Sequence, residues 1–459
     1  MPPTPPAFDT DHGITICGAG LAGCLMAILL AQRGYRVRMF ERLGDLRRET
    51  IPAGRSINLA LAARGIRALE LAGVMPAVER QLIAMPGRML HDVSGAETFL
   101  PYGKDASEAI YSVSRPGLNR LLLDAAEAAG VEIAFRHAVT SVDFDARKIL
   151  LRREESGAEI AIDLRHVIGA DGAGSVLRHG LVSRFGVEHS EDLLEHRYKE
   201  LTIPPAPNGE HRIAAHALHV WPRGGFMLIA LPNTDGSFTA TLFAPNTGED
   251  GFATLTSAQR VRVFFERHFP DAVALIPNIE AEFAARPTGV MGTVRCARWS
   301  VDDALMLIGD AAHAITPFHG QGMNCAFEDC AQLATLLSSE GDLARVFATY
   351  EQLRRPNTDA IAQMAIENYL EMRDTVRDPK FQLQKALSLE LERRFPNRFI
   401  PRYSMVMFHA RIPYAVALER GRLQAEILSA LTQSIHALDQ VDWMRASELI
   451  GEKLEPILA

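Results

Sequence analysis

The chain has 459 residues, 47% of them hydrophobic and 23% charged, so it can bury a large core and its length suggests several domains. Its formal net charge of −8 gives no reason to expect nucleic acid or an anionic membrane as a partner. No window approaches about 18 uninterrupted apolar residues, and the proline-rich residues 1–6 lack the charged and apolar regions of a signal peptide. We therefore expect no membrane anchor, and we expect residues 1–12 to be a disordered tail.

The five cysteines show neither a metal-ligand spacing nor a disulfide framework. An odd number of cysteines without a framework fits the reducing cytoplasm, where each is expected to be a small buried apolar residue. The sequence also contains no H-E-x-x-H, no G-x-S-x-G and no C-x-x-C pattern. We therefore expect no metal site.

The first predicted elements are a strand at residues 14–17 and a helix at residues 21–32, joined by a glycine-rich turn. The turn is Gly18-Ala19-Gly20-Leu21-Ala22-Gly23, and a second strand at residues 37–40 ends at Glu41. This is the G-x-G-x-x-G fingerprint in the context that it requires. Its glycines allow close approach of the backbone to a pyrophosphate, and the acid accepts from a ribose hydroxyl. The pattern predicts a dinucleotide site and leaves NAD and FAD as alternatives.

The middle of the chain combines further strands with a second turn motif. Strand and helix alternate to about residue 84, which favours a parallel sheet. Residues 87–114 are rich in strand formers, a helix is predicted at 118–129, and short strands are predicted at 133–135 and near Val142. Residues 167–178 then give a strand, the acid–glycine turn at Asp171, and a helix start. From about residue 181 to residue 296 the helical periodicity fades, and strands are predicted at 216–222, 226–232 and 238–243.

A third turn motif spans residues 309–324, between a buried strand predicted at 304–308 and a helix predicted at 323–337. It contains an acid, a proline and several glycines, and unpaired backbone N–H groups converge at such a helix start. From residue 345 onward the pattern is helical, and we expect it to be broken at Pro356, Pro379, Pro396 and Pro401. The sequence therefore predicts two glycine-rich binding turns, at residues 18–23 and 309–324. They are far apart along the chain, and a long cofactor would contact both.

Together these elements predict an α/β fold, α+β overall, with a Rossmann-like nucleotide-binding domain that is discontinuous. We expect this domain to comprise residues 13–86, 105–180 and 295–375. A mostly β substrate domain, residues 87–104 and 181–294, is inserted into it, and residues 376–459 form a C-terminal helical segment.

The three turn motifs in this order resemble the aromatic-hydroxylase class of flavin monooxygenases. More specific blocks look like the kynurenine 3-monooxygenase family; they lie at residues 54–61, 87–91, 101–103, 198–201, 218–222, 367–372 and 399–406. The resemblance runs from about residue 14 to residue 420. The eukaryotic members carry a membrane-anchoring C-terminal extension that this chain lacks, so it resembles the soluble bacterial form.

The resemblance implies a bound FAD and a transient NADPH cosubstrate. It implies hydroxylation of L-kynurenine to 3-hydroxykynurenine with O2 through a flavin C4a-hydroperoxide, in tryptophan degradation. Because the flavin carries the chemistry, no side chain is an obligatory catalyst, and His319 is the one candidate for an acid–base role. There is no second complete G-x-G-x-x-G, so the NADPH contacts are not assigned. The oligomeric state, including a homodimer, is left open.

The resemblance also implies the residues that bind FAD and substrate. The implied cofactor residues are Gly18, Gly20, Leu21, Ala22, Gly23, Glu41, Arg42, Arg55, Arg115, Asp171, Gly309, Asp310, Gly320, Gly322, Met323 and Asn324. The substrate carboxylate requires a charged anchor, for which Arg88 is the best candidate, with Tyr102 and Tyr403 as hydroxyl donors and Asn368 beside the amino-acid group. The aromatic ring is expected to contact Leu218, Met227, Ile229, Phe243, Phe318 and His319.

Other functions remain open at this stage. The chain could be a hydroxylase of the same class that acts on another aromatic, such as a hydroxybenzoate. A flavin halogenase is disfavoured, because the pattern of two tryptophans before Ile-Pro is absent. A flavin-binding regulatory protein without turnover is the third alternative, with the helices from residue 421 as a partner surface.

Overall fold

The computed structural model of the chain describes residues 13–49, 58–371 and 378–457. The chain divides into two compact units. The first unit comprises Met1–Gln81, Val113–Leu193 and Gly292–Ala362, and the second comprises Leu82–Ser112, Leu194–Met291 and Gln363–Ala459. Among the described residues, no helix is both long enough and apolar enough to cross a membrane.

Strands and helices alternate through much of the chain, and the predicted α/β fold is confirmed. The strands are β1 Ile14–Cys17, β2 Val37–Phe40, β3 Asn58–Leu61, β4 Ile83–Met85, β5 Gly87–His91, β6 Glu97–Pro101, β7 Ile110–Ser114, β8 Glu132–Ala134, β9 His137–Asp143, β10 Lys148–Arg153, β11 Glu159–Asp163, β12 Val167–Gly169, β13 His189–Ile203, β14 Leu218–Pro222, β15 Met227–Pro232, β16 Phe238–Pro245, β17 Gly289–Cys296, β18 Ser300–Val301 and β19 Leu305–Leu307. The helices are α1 Leu21–Ala31, α2 Ala63–Leu71, α3 Met75–Val78, α4 Arg115–Ala128, α5 Val176–Phe185, α6 Ala258–His268, α7 Pro270–Leu275, α8 Ile279–Ala285, α9 Asp310–His313, α10 Gly322–Ser339, α11 Leu343–Leu370, α12 Pro379–Arg394, α13 Arg402–Met407, α14 Tyr414–Thr432 and α15 Trp443–Lys453.

The first unit is built on a sheet with the strand order β18-β19-β12-β1-β2-β8. All its neighbouring strands run parallel except β18, which pairs antiparallel with β19. Because the strands β19, β12, β1 and β2 are adjacent and parallel, their carboxyl ends meet at one edge of the sheet. Ligands bind at this edge in open α/β sheets, so the topology gathers the segments that follow these four strands.

The central helix of the first unit is α1, which packs against α4 and α10. Its residues from Gly23 to Leu30 are all buried, in keeping with a helix that is apolar on every side. The helix α10 packs on both α1 and α2. These contacts place the starts of α1 and α10 on rigid elements rather than on loops.

The second unit is built on a sheet with the strand order β17-β13-β16-β15-β14-β5-β6. One face of this sheet packs against α6 and α8 in a core that includes Trp221, Leu228, Leu242, Phe265 and Phe283. Successive residues of a strand point to opposite faces. The neighbours of these core residues therefore point to the other face of the sheet.

The C-terminal helices of the second unit have a core of their own. It joins α12, α14 and α15 through apolar side chains that include Leu387, Leu391, Ile427, Leu449 and Ile450. The helix α13, which carries Tyr403, packs against α14. The predicted helical character of this part of the chain is confirmed.

Two predictions about helices were wrong. Residues 258–285, where helical periodicity was expected to fade, form α6, α7 and α8, and the buried Val261, Phe264 and Phe265 have the spacing of a helix face. Pro356 was expected to break the helix, but it lies inside α11. Pro356 and Gln352, whose carbonyl loses its hydrogen bond, are both exposed, so water can satisfy that carbonyl.

Candidate functional site

The first unit brings all three glycine-rich turns to the same edge of its sheet. Gly18 N donates to Phe40 O at 2.8 Å, and Ala170 N donates to Cys17 O at 2.8 Å. Ile308 N donates to Gly169 O at 2.9 Å, which continues the ladder from β12 to the strand before Gly309. The turns that follow β1, β12 and β19 are therefore neighbours in space, although they are far apart along the chain.

The first turn requires glycine for two separate reasons. Gly18 has a φ of +106°, and a Cβ atom there would lie 2.3 Å from Ala170 O. A Cβ on Gly23 would lie 2.0 Å from Gly18 O, so this glycine allows α1 to approach the turn closely. A Cβ on Gly20 would meet no protein atom within 4 Å, so its face of the turn is open to a ligand.

Glu41, at the end of β2, lies against the first turn. Its Oε2 accepts from Ala19 N at 2.8 Å, and its Oε1 accepts from Leu43 N at 2.8 Å. The carbonyl of Ala19 accepts from Asn119 Nδ2 at 3.3 Å and from Cys24 Sγ at 3.2 Å. The turn is thus fixed from both sides, and the acid stands where the dinucleotide fingerprint places the ribose.

In the second turn, Asp171 caps the start of α5. Its Oδ2 accepts from Val176 N at 2.9 Å, while its buried Oδ1 has no hydrogen-bond partner among the described residues. Burial raises the pKa of this carboxyl group. Arg178, which is fully buried, donates to Ala311 O at 3.0 Å and so connects the second turn to the third.

The third turn combines strained glycine geometry with a rigid helix start. Gly309 has a φ of +56°, in the region that favours glycine, and Asp310 is the exposed first residue of α9. Asn324, buried in α10, donates to Ala60 O at 2.8 Å and to Gly320 O at 2.9 Å. Its Oδ1 also accepts from Ala62 N at 2.9 Å, so Asn324 joins the third turn to β3 and the start of α2.

A buried network of charges supports the third turn from beneath. Asp329 Oδ2 accepts from Gly309 N at 3.0 Å and lies 2.6 Å from His313 Nε2. Asp329 Oδ1 accepts from Arg354 Nε at 2.7 Å. Arg354 also donates to Glu328 at 2.6 Å.

Burial acts to raise the pKa of Asp329, but His313 and Arg354 outweigh it and lower this pKa, so the carboxylate stays charged. No sequence signal marks Asp329, Glu328 and Arg354, because they lie on helices without a motif.

These residues fit both the adenosine end and the flavin end of an FAD. The open face at Gly20, the acid at Glu41 and the N-terminus of α1 suit the pyrophosphate and ribose. Leu21 and Ala22 are partly buried in the first turn of α1, and Gly322 and Met323 begin α10. Arg42 and Arg115 are exposed, and Arg55 lies outside the described residues.

In the second unit, Arg88, Tyr102 and Tyr403 come together. The rings of Tyr102 and Tyr403 are stacked, with their centroids 5.2 Å apart. The Arg88 guanidinium carbon lies 5.3 Å from the Tyr102 ring centroid and 5.4 Å from the Tyr403 ring centroid. Arg88 Nε and the Tyr102 hydroxyl are buried without a hydrogen bond to another described residue. We call these three residues the anchor cluster.

The charge state of the anchor cluster follows from its surroundings. Burial acts to lower the pKa of Arg88, but Tyr102, Tyr403 and Glu371 outweigh it and raise this pKa, so the guanidinium stays charged. Burial raises the pKa of both tyrosines, so their hydroxyls stay protonated as donors. The cluster offers a cation and two O–H groups, which is the chemistry that binds a carboxylate.

A second cation, Lys385, lies beside the anchor cluster. Its Nζ lies 5.3 Å from the Tyr403 ring centroid. Burial, and then the charge of Arg88, lower its pKa to about 8. Lys385 was not predicted, because a lone lysine in a helix gives no sequence signal.

The predicted ring-contacting residues of the second unit share one face of its sheet. Leu218 is directly opposite Arg88 in the pairing of β14 with β5, and Met227 is directly opposite Phe243 in the pairing of β15 with β16. Ile229 is two residues beyond Met227 and therefore points to the same side. This is the face opposite the one that packs on α6 and α8.

The remaining predicted substrate residues belong to other elements of the two units. Asn368 is buried in α11, beside Glu367, which forms an ion pair with Arg402 of α13. Phe318 and His319 are buried in the turn of the first unit. His313 is part of the Asp329 network and not of this group.

All five cysteines are free and buried. This confirms the interpretation of each as a small buried residue.

Comparison with known proteins identifies the relatives of this chain. The protein-family model described as "FAD binding domain" matches residues 11–365. The kynurenine 3-monooxygenase of Xanthomonas axonopodis pv. citri (strain 306) is 47% identical over 448 residues, which cover 98% of each chain. That of Xanthomonas campestris pv. campestris (strain 8004) is 47% identical over 451 residues, covering 98% of this chain and 99% of the relative.

Solved structures show the same fold at lower identity. The tetrameric 2-methyl-3-hydroxypyridine-5-carboxylic acid oxygenase superimposes with a TM-score of 0.65 at 21% identity, covering 82% of this chain and 95% of that one. The p-nitrophenol 4-monooxygenase of Pseudomonas putida DLL-E4 gives 0.64 at 17% identity, covering 90% and 98%. With the 47% identity over nearly the whole length and the FAD-domain match, these findings show that the chain belongs to the kynurenine 3-monooxygenase family of FAD-dependent monooxygenases.

Proposed function

We propose that the protein hydroxylates L-kynurenine at the ring carbon ortho to its amine, to give 3-hydroxykynurenine, with FAD, NADPH and O2. The observation that carries this proposal is the anchor cluster, in a chain 47% identical to kynurenine 3-monooxygenases. Kynurenine carries an α-carboxylate, and a buried cation flanked by two hydroxyl donors is suited to an anion of this kind.

The anchor cluster can hold the carboxylate in a fixed orientation. The planar guanidinium of Arg88 suits a bidentate carboxylate, and its two tyrosine neighbours restrict its movement. Lys385 adds a second positive charge nearby, and Asn368 offers an amide to the amino-acid group. We propose that Leu218, Met227, Ile229 and Phe243 contact the aromatic ring, because they lie on the same sheet face as Arg88.

FAD, when bound, supplies the oxygen chemistry, since its reduced ring reacts with O2 and one oxygen atom is transferred to the substrate. We propose that Glu41 and Arg42 bind its adenosine ribose, and that Arg55 and Arg115 contact the pyrophosphate. Asp171 and Asp310 are proposed to lie along the dinucleotide. The start of α10, at Gly322 to Asn324, would stabilise negative charge on the flavin ring through its backbone N–H groups.

The protein's own residues bind and orient rather than react. No side chain is required as a nucleophile, and the buried thiols are poor candidates because burial raises the pKa of Cys17, Cys24, Cys325 and Cys330. Phe318 and His319 are proposed to contact the substrate ring, with an orienting role for His319. NADPH is proposed to bind transiently, and the cytoplasm is the proposed location.

The test is oxygen-dependent NADPH oxidation by the FAD-loaded enzyme with L-kynurenine, with the product identified by mass spectrometry. Formation of 3-hydroxykynurenine in proportion to NADPH consumed is expected. A substrate panel with hydroxybenzoates serves as the comparison. An aromatic hydroxylase of other specificity would couple NADPH oxidation to hydroxylation of one of these compounds and not of kynurenine. FAD binding without NADPH oxidation by any aromatic would instead indicate a protein without turnover.

A further inference from the structure

A second cluster of ligating side chains lies in the second unit, beyond the anchor cluster. Glu108, Glu392 and His409 each offer one oxygen or nitrogen atom, and these three atoms all lie within 4.8 Å of one another. Glu108 precedes β7, Glu392 lies in the last turn of α12, and His409 follows α13. The loop before β7, α12 and the segment after α13 thus converge on one point.

The carboxylate of Glu392 is the unusual member of this cluster. The residue is 1% exposed, and neither of its oxygens forms a hydrogen bond with any residue that the structure describes. A buried carboxylate without a partner is costly, so it must be either protonated or paired with a cation. Burial, and then the nearby Glu108, raise the pKa of Glu392 to about 7, although Lys104, Lys385 and Arg393 act to lower it.

The nearest protein cation does not balance two carboxylates. Lys104 Nζ lies 3.4 Å from Glu108 Oε1 and 4.0 Å from Glu392 Oε1, and its side chain is 38% exposed. The separation from Glu392 is beyond hydrogen-bonding distance. Lys385 and Arg393 also act on Glu392 electrostatically, yet with Lys104 they do not outweigh burial and Glu108, and the pKa of Glu392 stays raised.

Glu108 is held in place for this role. Its Oε2 accepts from Lys104 N at 2.8 Å, and its own N–H donates to Asp105 O at 3.2 Å. The tight loop of residues 104–108 fixes the carboxylate and leaves Oε1 directed to the ammonium of Lys104. A divalent ion would take the place of that ammonium, whose partly exposed side chain can move into solvent.

We infer that Glu108, Glu392 and His409 form a binding site for a divalent transition-metal ion of the zinc class. Two carboxylate oxygens and an imidazole nitrogen are ligands that Zn²⁺ accepts, and three protein ligands leave a position for water. The double charge of the ion compensates both carboxylates. Mn²⁺, which also accepts carboxylates, is the closest competitor, and Mg²⁺ is disfavoured by the imidazole.

The other cluster of similar composition has no need of an ion. His313, Cys325 and Asp329, in the first unit, also bring three ligating groups together. There, both oxygens of Asp329 already accept hydrogen bonds, one of them from the Arg354 guanidinium. Burial also raises the pKa of the Cys325 thiol, which disfavours the thiolate that a metal requires.

The proposed ion would connect the segments that carry the substrate residues. Tyr102 precedes the loop of Glu108, Lys385 lies on the same helix as Glu392, and Tyr403 lies on α13, just before His409. Fixing these three segments should tighten the anchor cluster. This coupling to kynurenine rests on the proposed function, whereas binding of the metal does not.

The experiment is calorimetric titration of Zn²⁺ into the FAD-loaded, chelator-treated enzyme, with Mn²⁺ and Mg²⁺ as comparisons. One equivalent of Zn²⁺ is expected to bind, and Glu392→Gln and His409→Asn are each expected to weaken it by more than ~10-fold. Glu159→Gln, which removes an exposed carboxylate from β11, is the matched control and should bind as the wild type does. Circular dichroism and thermal unfolding report whether each variant is folded.

Absence of stoichiometric Zn²⁺ binding, or binding that Glu392→Gln and His409→Asn leave unchanged, would overturn the site. If either variant fails to fold, anomalous scattering at the zinc edge from wild-type crystals decides, since the ion must lie between these three side chains. Kynurenine affinity is then measured with and without Zn²⁺, and a rise with the metal is expected. Metal binding without that rise overturns the coupling alone, and failure of kynurenine to bind at all counts against the proposed function instead.

Discussion

The two units of this protein stabilise their charged groups in opposite ways. In the first unit, Asp329 binds Gly309, His313 and Arg354, so a buried carboxylate has partners on both oxygens. In the second unit, Arg88 lies against two tyrosine rings, with a second cation, Lys385, near the same cluster. The first arrangement is complete within the protein and fixes the shape of a turn. The second presents positive charge and hydroxyl donors, as a site for an anionic ligand does.

This difference separates a scaffold from a recognition site. The turns of the first unit are suited to bind a cofactor mainly through backbone groups. The positions of these groups are set by glycines and by buried hydrogen bonds. The anchor cluster is proposed to bind its ligand through side chains, namely one positively charged guanidinium and two hydroxyl donors. Substitutions in the first turn or the Asp329 network should therefore reduce FAD binding or stability, whereas substitutions in the anchor cluster should reduce kynurenine binding.

The largest effect is expected from Asp329→Ala. It leaves the buried Arg354 and His313 without their shared counter-charge, and breaking such a buried pair costs about 3–5 kcal/mol of unfolding free energy. The measurement is urea unfolding of the FAD-loaded protein. Asp359→Ala, which removes an exposed carboxylate from α11, is the control and should change stability little. Equal stability of the two variants would mean that the Asp329 network does not contribute to the free energy of unfolding.

The next effect is expected from Arg88→Ala. Removing a charged hydrogen-bonding partner of the substrate should weaken L-kynurenine binding by ~100-fold, about 2–4 kcal/mol. FAD content should be unchanged, because Arg88 lies in the second unit. Calorimetric titration measures affinity, and the flavin absorbance of the purified protein measures FAD content. Joint loss of FAD and kynurenine binding would contradict the assignment of Arg88 to the substrate alone.

A substitution in the first turn tests whether its open face receives the cofactor. Gly20 has a φ of −72°, which any residue adopts, and its Cβ position meets no protein atom. Gly20→Val should therefore leave the stability of the FAD-free protein nearly unchanged, yet lower FAD affinity by ~10-fold or more because the side chain occupies the pyrophosphate approach. Fluorescence titration of FAD gives the affinity. Unaltered FAD affinity would place the cofactor elsewhere.

The smallest effect is expected from Tyr102→Phe. The ring stack with Tyr403 is kept and only one hydroxyl donor is lost, so kynurenine affinity should fall by ~3- to 10-fold, about 1 kcal/mol. Calorimetry at constant pH measures it, and Tyr350→Phe, which removes a buried hydroxyl in the first unit, is the comparison. A loss as large as that of Arg88→Ala would mean that the hydroxyl, not the charge, dominates recognition.

The sequence predicted those parts of the fold that depend on local patterns. The first turn, with Gly18, Gly23 and Glu41, was recognisable because strand, glycines and helix follow one another along the chain. The strand order was not predicted, because parallel neighbours such as β1 and β12 are separated by many residues. The helix at residues 258–268 was missed among strands, although Val261, Phe264 and Phe265 carried its period.

The candidate site was predictable only where a motif or a family block marked it. Arg88, Tyr102 and Tyr403 were named through resemblance, and the structure brings them together through the stacking of two distant tyrosines. Lys385, Asp329 and Glu392 carried no sequence signal, because a single charged residue on a helix is expected to be exposed until its burial is known. Their roles depend on tertiary contacts, which no short pattern encodes.

The most direct test compares L-kynurenine with the analogue that lacks only the carboxylate, by calorimetric titration of the FAD-loaded wild type and of Arg88→Ala. The wild type should bind L-kynurenine ~100-fold more tightly than the analogue, and Arg88→Ala should bind the two ligands nearly equally. Wild-type enzyme that binds both ligands with the same affinity would contradict the assignment of the anchor cluster to the substrate carboxylate.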